Sequence, residues 1–189
     1  MLYRLILFVV VVSTVNLYSQ TARRQPSRLP NPPNNPGTTT PDDELARHLS
    51  AAQGYQLAGD LDHALVENRA VLGIALRRIG LLELEQGKDN DAATHFASSL
   101  IFDNDSTARA GLAVAYLHLS RRDEAITEAQ TAVALDPKNS RAHQILGSLY
   151  YSSENYPAAL PELEQVFRLA PDFDSAYLLG LTYLRLKQL

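Results

Sequence analysis

Five histidines (His48, His63, His95, His118 and His143) are the residues of this 189-residue chain best suited to bind a metal or shuttle a proton. A zinc site of the HExxH kind needs two imidazoles one helical turn apart, with a carboxylate between them as base. No two of these histidines fall within one turn, and no HExxH string occurs. The acidic pairs Asp42-Asp43 and Asp123-Glu124 stand where helices are expected to begin, and carboxylates there oppose the helix dipole. Capping is therefore their expected work. There is no cysteine, which excludes disulfides, thiolate metal sites, cysteine nucleophiles and the acylated cysteine of a lipoprotein. Nucleophile-elbow, P-loop and dinucleotide-binding strings are also missing. No catalytic, cofactor-binding or metal-ligating residue is expected, and the chain is expected not to be an enzyme. Asn104-Asp105-Ser106 is a glycosylation sequon of consequence only in a eukaryotic secretory pathway.

What the sequence does contain is a repeat, and a repeat dictates the architecture. Ser106 to Asn139 and Ser140 to Phe173 align on one 34-residue frame. Small residues fall at the eighth position (Ala113, Gly147) and the twentieth (Ala125, Ala159). Tyrosine falls at the eleventh (Tyr116, Tyr150), leucine at the thirtieth (Leu135, Leu169) and proline at the thirty-second (Pro137, Pro171). Each copy is expected to be two antiparallel helices. The small residues would let the two backbones approach, and the tyrosines and leucines would fill the space toward the next copy. Asp136-Pro137 and Ala170-Pro171 stop the second helix, since proline has no N–H to donate and restricts the residue before it. Asn139 or Ser140 would cap the helix that follows.

The same frame extends outward to four repeats, at 45–72, 73–105, 106–139 and 140–172, and a half repeat at 173–189. In the first, Ala52, Tyr55, Gly59 and Ala64 are in register, and Gly59 suits the left-handed conformation just beyond a helix. The second has Gly80, Gly87, Ala92, Phe96 and Phe102, with Glu83 where the other copies have tyrosine. Asp103-Asn104-Asp105 replaces its closing proline. The half repeat keeps Ala176, Gly180 and Tyr183. Two departures carry structural consequences. The turn between the first and second repeats lacks about six residues by the frame, so either two helices fuse there or the first pair docks irregularly. Pro161 lies inside the second helix of the fourth repeat and must kink it or delay its start.

Ahead of the repeats, residues 1–20 hold Arg4 and then an unbroken apolar run, Leu5 to Val12, followed by a more polar stretch. That is the anatomy of a signal peptide, with an uncleaved membrane anchor as the alternative. Residues 21–42 carry six prolines among Asn, Gly and Thr and are expected to be a solvated spacer before the folded part, 43–189. The expected location is thus exported, periplasmic or secreted, or held at a membrane. Net charge is -4. That balance does not suit nucleic-acid binding, which needs clustered Lys and Arg.

The repeat pattern resembles the tetratricopeptide repeat, including members from exported or anchored bacterial-type proteins, over most of the chain. The resemblance implies an all-α solenoid, a right-handed superhelix of helix pairs whose first helices line a concave groove. It also implies a non-enzymatic scaffold that binds a protein or peptide in that groove, with no cofactor. Members that grip a peptide's terminal carboxylate use lysine at the fifth and asparagine at the ninth position. Ala110/Val114 and Gln144/Ser148 do not match, so that clamp is not expected. The candidate contacts at groove positions are Arg77, His118, Arg141, Gln144, Tyr151 and Tyr177. Two other readings stand beside the scaffold. The chain can be the N-terminal portion of a larger protein with its activity beyond Leu189, or a repeat domain that self-associates through 174–189. The last helix motivates both, because it carries more apolar surface than a polar terminal repeat would.

Overall fold

The computed structural model describes residues 41–187, with side chains from Asp43 onward. The proposed export segment and nearly all of the spacer lie outside the described residues. Eight helices account for the described part: α1 (Pro41–Leu57), α2 (Leu61–Glu85), α3 (Asp89–Ser99), α4 (Ser106–His118), α5 (Arg122–Leu135), α6 (Ser140–Ser152), α7 (Tyr156–Leu169) and α8 (Phe173–Arg185). There is no strand among the described residues. None of these helices is long and apolar enough to cross a membrane.

Each helix packs on the next, as an antiparallel solenoid requires. A second set of contacts joins α2 to α4, α4 to α6 and α6 to α8, whereas none joins α3 to α5 or α5 to α7 among the described residues. The first helix of each pair therefore belongs to a crowded inner layer and the second to a splayed outer one. Curvature follows directly, with the concave side on α2, α4, α6 and α8.

The turns inside the pairs repeat in detail. The fifteenth frame position is left-handed in every copy: Gly59 (φ 78), Gly87 (φ 70), Ser120 (φ 61), Glu154 (φ 60) and Lys187 (φ 55). In four of these the next residue's N–H reaches back to the carbonyl of the eleventh: Asp60 to Tyr55, Lys88 to Glu83, Arg121 to Tyr116 and Asn155 to Tyr150. This is the hydrogen bond that closes a helix on a left-handed residue. Glycine makes the conformation easily, whereas Ser120 and Glu154 hold it against the steric preference of an L residue. Between pairs, Asp105 caps α4 through the Ala108 N–H (2.9 Å), Asn139 caps α6 through Ala142 (3.1 Å), and Asp172 caps α8 through Ser175 (2.7 Å).

The core is built by volume exchange around the eighth position. A Cβ built on Gly147 would lie 2.7 Å from Leu163 Cδ2, and one on Gly80 would lie 3.0 Å from the Phe96 ring. Leu163 and Phe96 both hold the twenty-fourth position, so that residue fills the seat the frame assigned to the twentieth. The twentieth-position alanines are buried beside it (Ala64, Ala92, Ala125, Ala159). The Phe96 ring also presses on the next pair, where a Cβ on Gly111 would come within 2.4 Å of it. In the third repeat the large residue moves: Ala113 and Ala129 are small, and Ile145 of α6 completes their cluster.

Three expectations are refined. The shortened turn produces a fusion, because α2 runs unbroken for 25 residues as the second helix of one repeat and the first of the next. Pro161 neither ends α7 nor delays it; the helix starts at Tyr156 with Pro157 in its first turn. Pro161 forfeits only the bond to the Pro157 carbonyl and remains exposed. Leu135 does not fill the inter-repeat space, being 44% exposed.

Two substitutions test this packing by urea unfolding. Gly111→Ala must displace a fully buried ring and is expected to cost about 1–3 kcal/mol. Glu154→Gly removes a left-handed glutamate and is expected to stabilise by about 1 kcal/mol. Midpoints that move in the same direction would contradict the account.

Candidate functional site

The inner layer is also where the charges are organised. At the fourth and twenty-third frame positions a histidine or arginine faces a glutamate across the helix pair, in three repeats and always 19 residues apart. His48 Nδ1 meets Glu67 Oε2, Arg109 Nη1 meets Glu128 Oε2, and His143 Nδ1 meets Glu162 Oε2, each at 2.6 Å. The second repeat has Leu76 at its fourth position. There His95, at the twenty-third, turns instead to Glu83 (2.6 Å). This accounts for the glutamate that replaces tyrosine at the eleventh position. In the fourth repeat and the half repeat that tyrosine reaches the preceding outer helix: Gln130 donates to the Tyr150 hydroxyl (2.9 Å), and the Tyr183 hydroxyl donates to Glu164. The bond to Glu164 raises the Tyr183 pKa, with desolvation adding to it.

All five histidines lie within bonding distance of a carboxylate, His63 with Asp60 (2.7 Å) and His118 with Asp89 (2.7 Å) completing the set. The hydrogen bond that its ring donates to the Asp60 carboxylate raises the His63 pKa above the ordinary histidine value. No group of three or more metal-ligating side chains converges among the described residues. His48, His95, His118 and His143 are struts between helices, whereas His63 bonds the N-cap of its own helix. Arg122 does similar work at the end of α6, where its guanidinium donates to the Leu149 carbonyl and to Ser152 Oγ (2.7 Å).

Against this background the six candidate contacts separate. Arg77 is 12% exposed and bridges Glu44 of α1 (2.9 Å) and Asp105, the N-cap of α4 (2.7 Å). Burial alone would lower its pKa, but the two carboxylates outweigh burial and raise it. Arg77 is thus a structural cation, which corrects its assignment as a groove contact. His118 is exposed but bound to Asp89 of α3 at the groove rim. Arg141 and Gln144 are exposed on the inner helix α6 and make no ion pair or side-chain hydrogen bond among the described residues. Tyr151, on the same helix, is half-buried with its ring 5.4 Å from that of Tyr156. Tyr177 parts from the others. Ser175 and Thr182 are buried on the packed face of α8, so Tyr177 lies on the opposite face, stacked on Phe173. The middle of the groove is closed by packing, with Ile74, Ala110 and Val114 all buried. Its accessible part therefore lies along α6. Leu117 is exposed at the twelfth position, in register with Tyr151, and was not among the expected contacts.

A family model described as tetratricopeptide repeat matches residues 77–140 and 146–189, more than half of the chain. The chain belongs to the tetratricopeptide repeat family. Solved structures agree on the fold of the array. The first tetratricopeptide repeat domain of Spaghetti (RPAP3), bound to the HSP90 peptide SRMEEVD, aligns with TM-score 0.58 and 22% identity over 61% of this chain and 96% of its own. MamA aligns with TM-score 0.56 and 22% identity over 77% of this chain and 84% of its own. The Sgt2 tetratricopeptide repeat domain from Aspergillus fumigatus gives 0.56 and 19% over 61% and 80%. At these identities the likeness shows the fold alone. No match is found among curated proteins.

The tetratricopeptide repeat is in general a protein-interaction fold, and its function resides in the side chains a given array leaves free. Substitution separates the two kinds of arginine here. Arg77→Leu strands two carboxylates and is expected to destabilise by about 3 kcal/mol, whereas Arg141→Leu is expected to change stability by no more than about 0.5 kcal/mol. Comparable losses in chemical unfolding would remove the distinction.

Proposed function

We propose that the array is a non-enzymatic scaffold that holds a protein or peptide segment along the concave face of α6. The observation that carries the reading is the pair Arg141 and Gln144. They stand free on the inner helix α6, whereas Arg77, Arg109, His118 and His143 of the same layer are each engaged by a carboxylate. Arg141 suits an acidic group on the partner, Gln144 suits a backbone or side-chain amide, and Tyr151 with Leu117 offers apolar contact beside them. His118 borders this surface and can contact the partner if Asp89 shares it. The fifth and ninth positions, Ala110/Val114 and Gln144/Ser148, lack the lysine and asparagine of a carboxylate clamp. The partner is therefore expected to present an internal segment rather than its C-terminus.

The apolar run in residues 5–12, followed by a proline-rich stretch, supports a location outside the cytoplasm or at a membrane surface. Sequencing the N-terminus of the mature protein tests this; an intact start together with a soluble cytoplasmic distribution would reject it.

The groove is tested by a photo-crosslinking residue placed at Gln144 and, separately, at Thr127 on the outer helix α5. A specific adduct at position 144 that is lost in Arg141→Glu, and is not formed at 127, is the expected outcome. Adducts of equal yield at both positions would reject the concave face.

A further inference from the structure

The outer face of α8 is apolar for the length of the helix. Phe173, Tyr177 and Leu184 are 81%, 60% and 53% exposed, and Ala176 and Gly180 lie exposed among them. The spacing, with steps of four, then three, then four residues, keeps the stripe on one side, opposite the buried Ser175 and Thr182. Two frame positions in the stripe have known partners one repeat earlier. The fourth is His143, which meets Glu162, and the eighth is Gly147, which is filled by Leu163. On α8 the fourth position is Ala176 and the eighth is Gly180, where an added Cβ would meet nothing within 4 Å. The stripe is thus a shaped surface, with a notch at Gly180 and a ridge where the Phe173 and Tyr177 rings stack, 6.2 Å apart and 10° from parallel.

Charge indicates what covers it. Asp174 and Arg185 flank the stripe along the same edge, one near each end of the helix. A two-fold axis lying between two α8 helices, perpendicular to them and level with their middles, would set them antiparallel and keep that edge on the same side. Asp174 of each copy would then lie beside Arg185 of the other, at both ends at once. The same operation brings the Tyr177 ring of one copy over the Gly180 notch of the other and Phe173 near Leu184. Parallel pairing places the two charged edges on opposite sides and gains neither contact.

We propose that α8 is a homodimer interface, formed by two copies of this chain packing α8 against α8 in antiparallel fashion about a point between Leu178 and Leu179. The interface is closed and isologous, so it yields dimers rather than filaments. It leaves Arg141, Gln144 and Tyr151 uncovered and stands or falls independently of the groove.

Sedimentation or light scattering of the 189-residue chain, at concentrations from about one to about one hundred micromolar, is expected to show the dimer mass. Gly180→Arg fills the notch without meeting anything in the isolated array. It is expected to weaken association at least tenfold, with no fall in the thermal midpoint measured at concentrations where the chain is monomeric. Asp174→Arg and Arg185→Glu are each expected to weaken association, and the double exchange to restore it. Because the chain has no cysteine, mixing Phe173→Cys with Leu184→Cys protein is expected to give a disulfide-linked pair in higher yield than either variant alone. A monomeric wild-type chain, association indifferent to Gly180→Arg, or a double exchange no better than the single ones would each overturn the proposal. The first of these would leave α8 to be covered by other polypeptide.

Discussion

The array depends on how closely the two backbones of a pair can approach, and one residue per pair decides that distance. Phe96 shows the constraint in its strongest form. Its ring is fully buried between α2 and α4 and is accommodated because both helices carry glycine where it touches them. Burying such a side chain is worth about 1.5–3 kcal/mol, and a single methyl group on either flank would displace it. The third repeat meets the same requirement with the opposite assignment, alanines within the pair and isoleucine beyond it. The volume between helices is conserved while the residue supplying it changes. This is why the helix pairs superpose in pattern although their cores differ in composition.

Polar contacts set the register that packing alone leaves loose. Apolar surfaces tolerate sliding, whereas a histidine or arginine bonded to a carboxylate at 2.6 Å on the facing helix does not. In three repeats the bond between the fourth and twenty-third positions pins the pair near the start of its first helix, and the left-handed turn at the fifteenth closes the other end. Partly buried polar contacts of this kind contribute modestly to stability, since desolvation offsets much of their attraction. Their larger effect is to select one alignment among several of similar apolar burial.

The architecture was legible in the sequence because its determinants recur. Alanine and glycine at the eighth and twentieth positions, proline at the thirty-second and Gly59 at its turn each correspond to a feature that a solenoid needs once per copy. The latch recurs as well, yet His48, Arg109 and His143 share a position without sharing a residue type, so identity matching passed over it. Arg77 was misassigned for a different reason. Its frame position points into the groove, but the fusion of α2 brings α1 and the α4 cap to its guanidinium, and no local pattern encodes that meeting of residues 44, 77 and 105. Likewise Tyr177 shares a groove position with Gln144 but lies beyond the last pair, where no outer helix follows among the described residues. Periodicity specifies what a position does inside an array, and it fails first at the ends.

The 25-residue helix α2, about 37 Å long at ~1.5 Å per residue, has a mechanical consequence. Repeat arrays ordinarily open one unit at a time, because each unit meets its neighbours through separable interfaces. Here the boundary between the first two units is continuous backbone, and Arg77 ties α1 to the cap of α4 across it. Fraying of α1 therefore cannot stop at a turn; it must be halted within a hydrogen-bonded helix or carry on to α3. The N-terminal two repeats are coupled into one cooperative block, while the opposite end, joined through turns alone, retains the freedom to open a helix at a time.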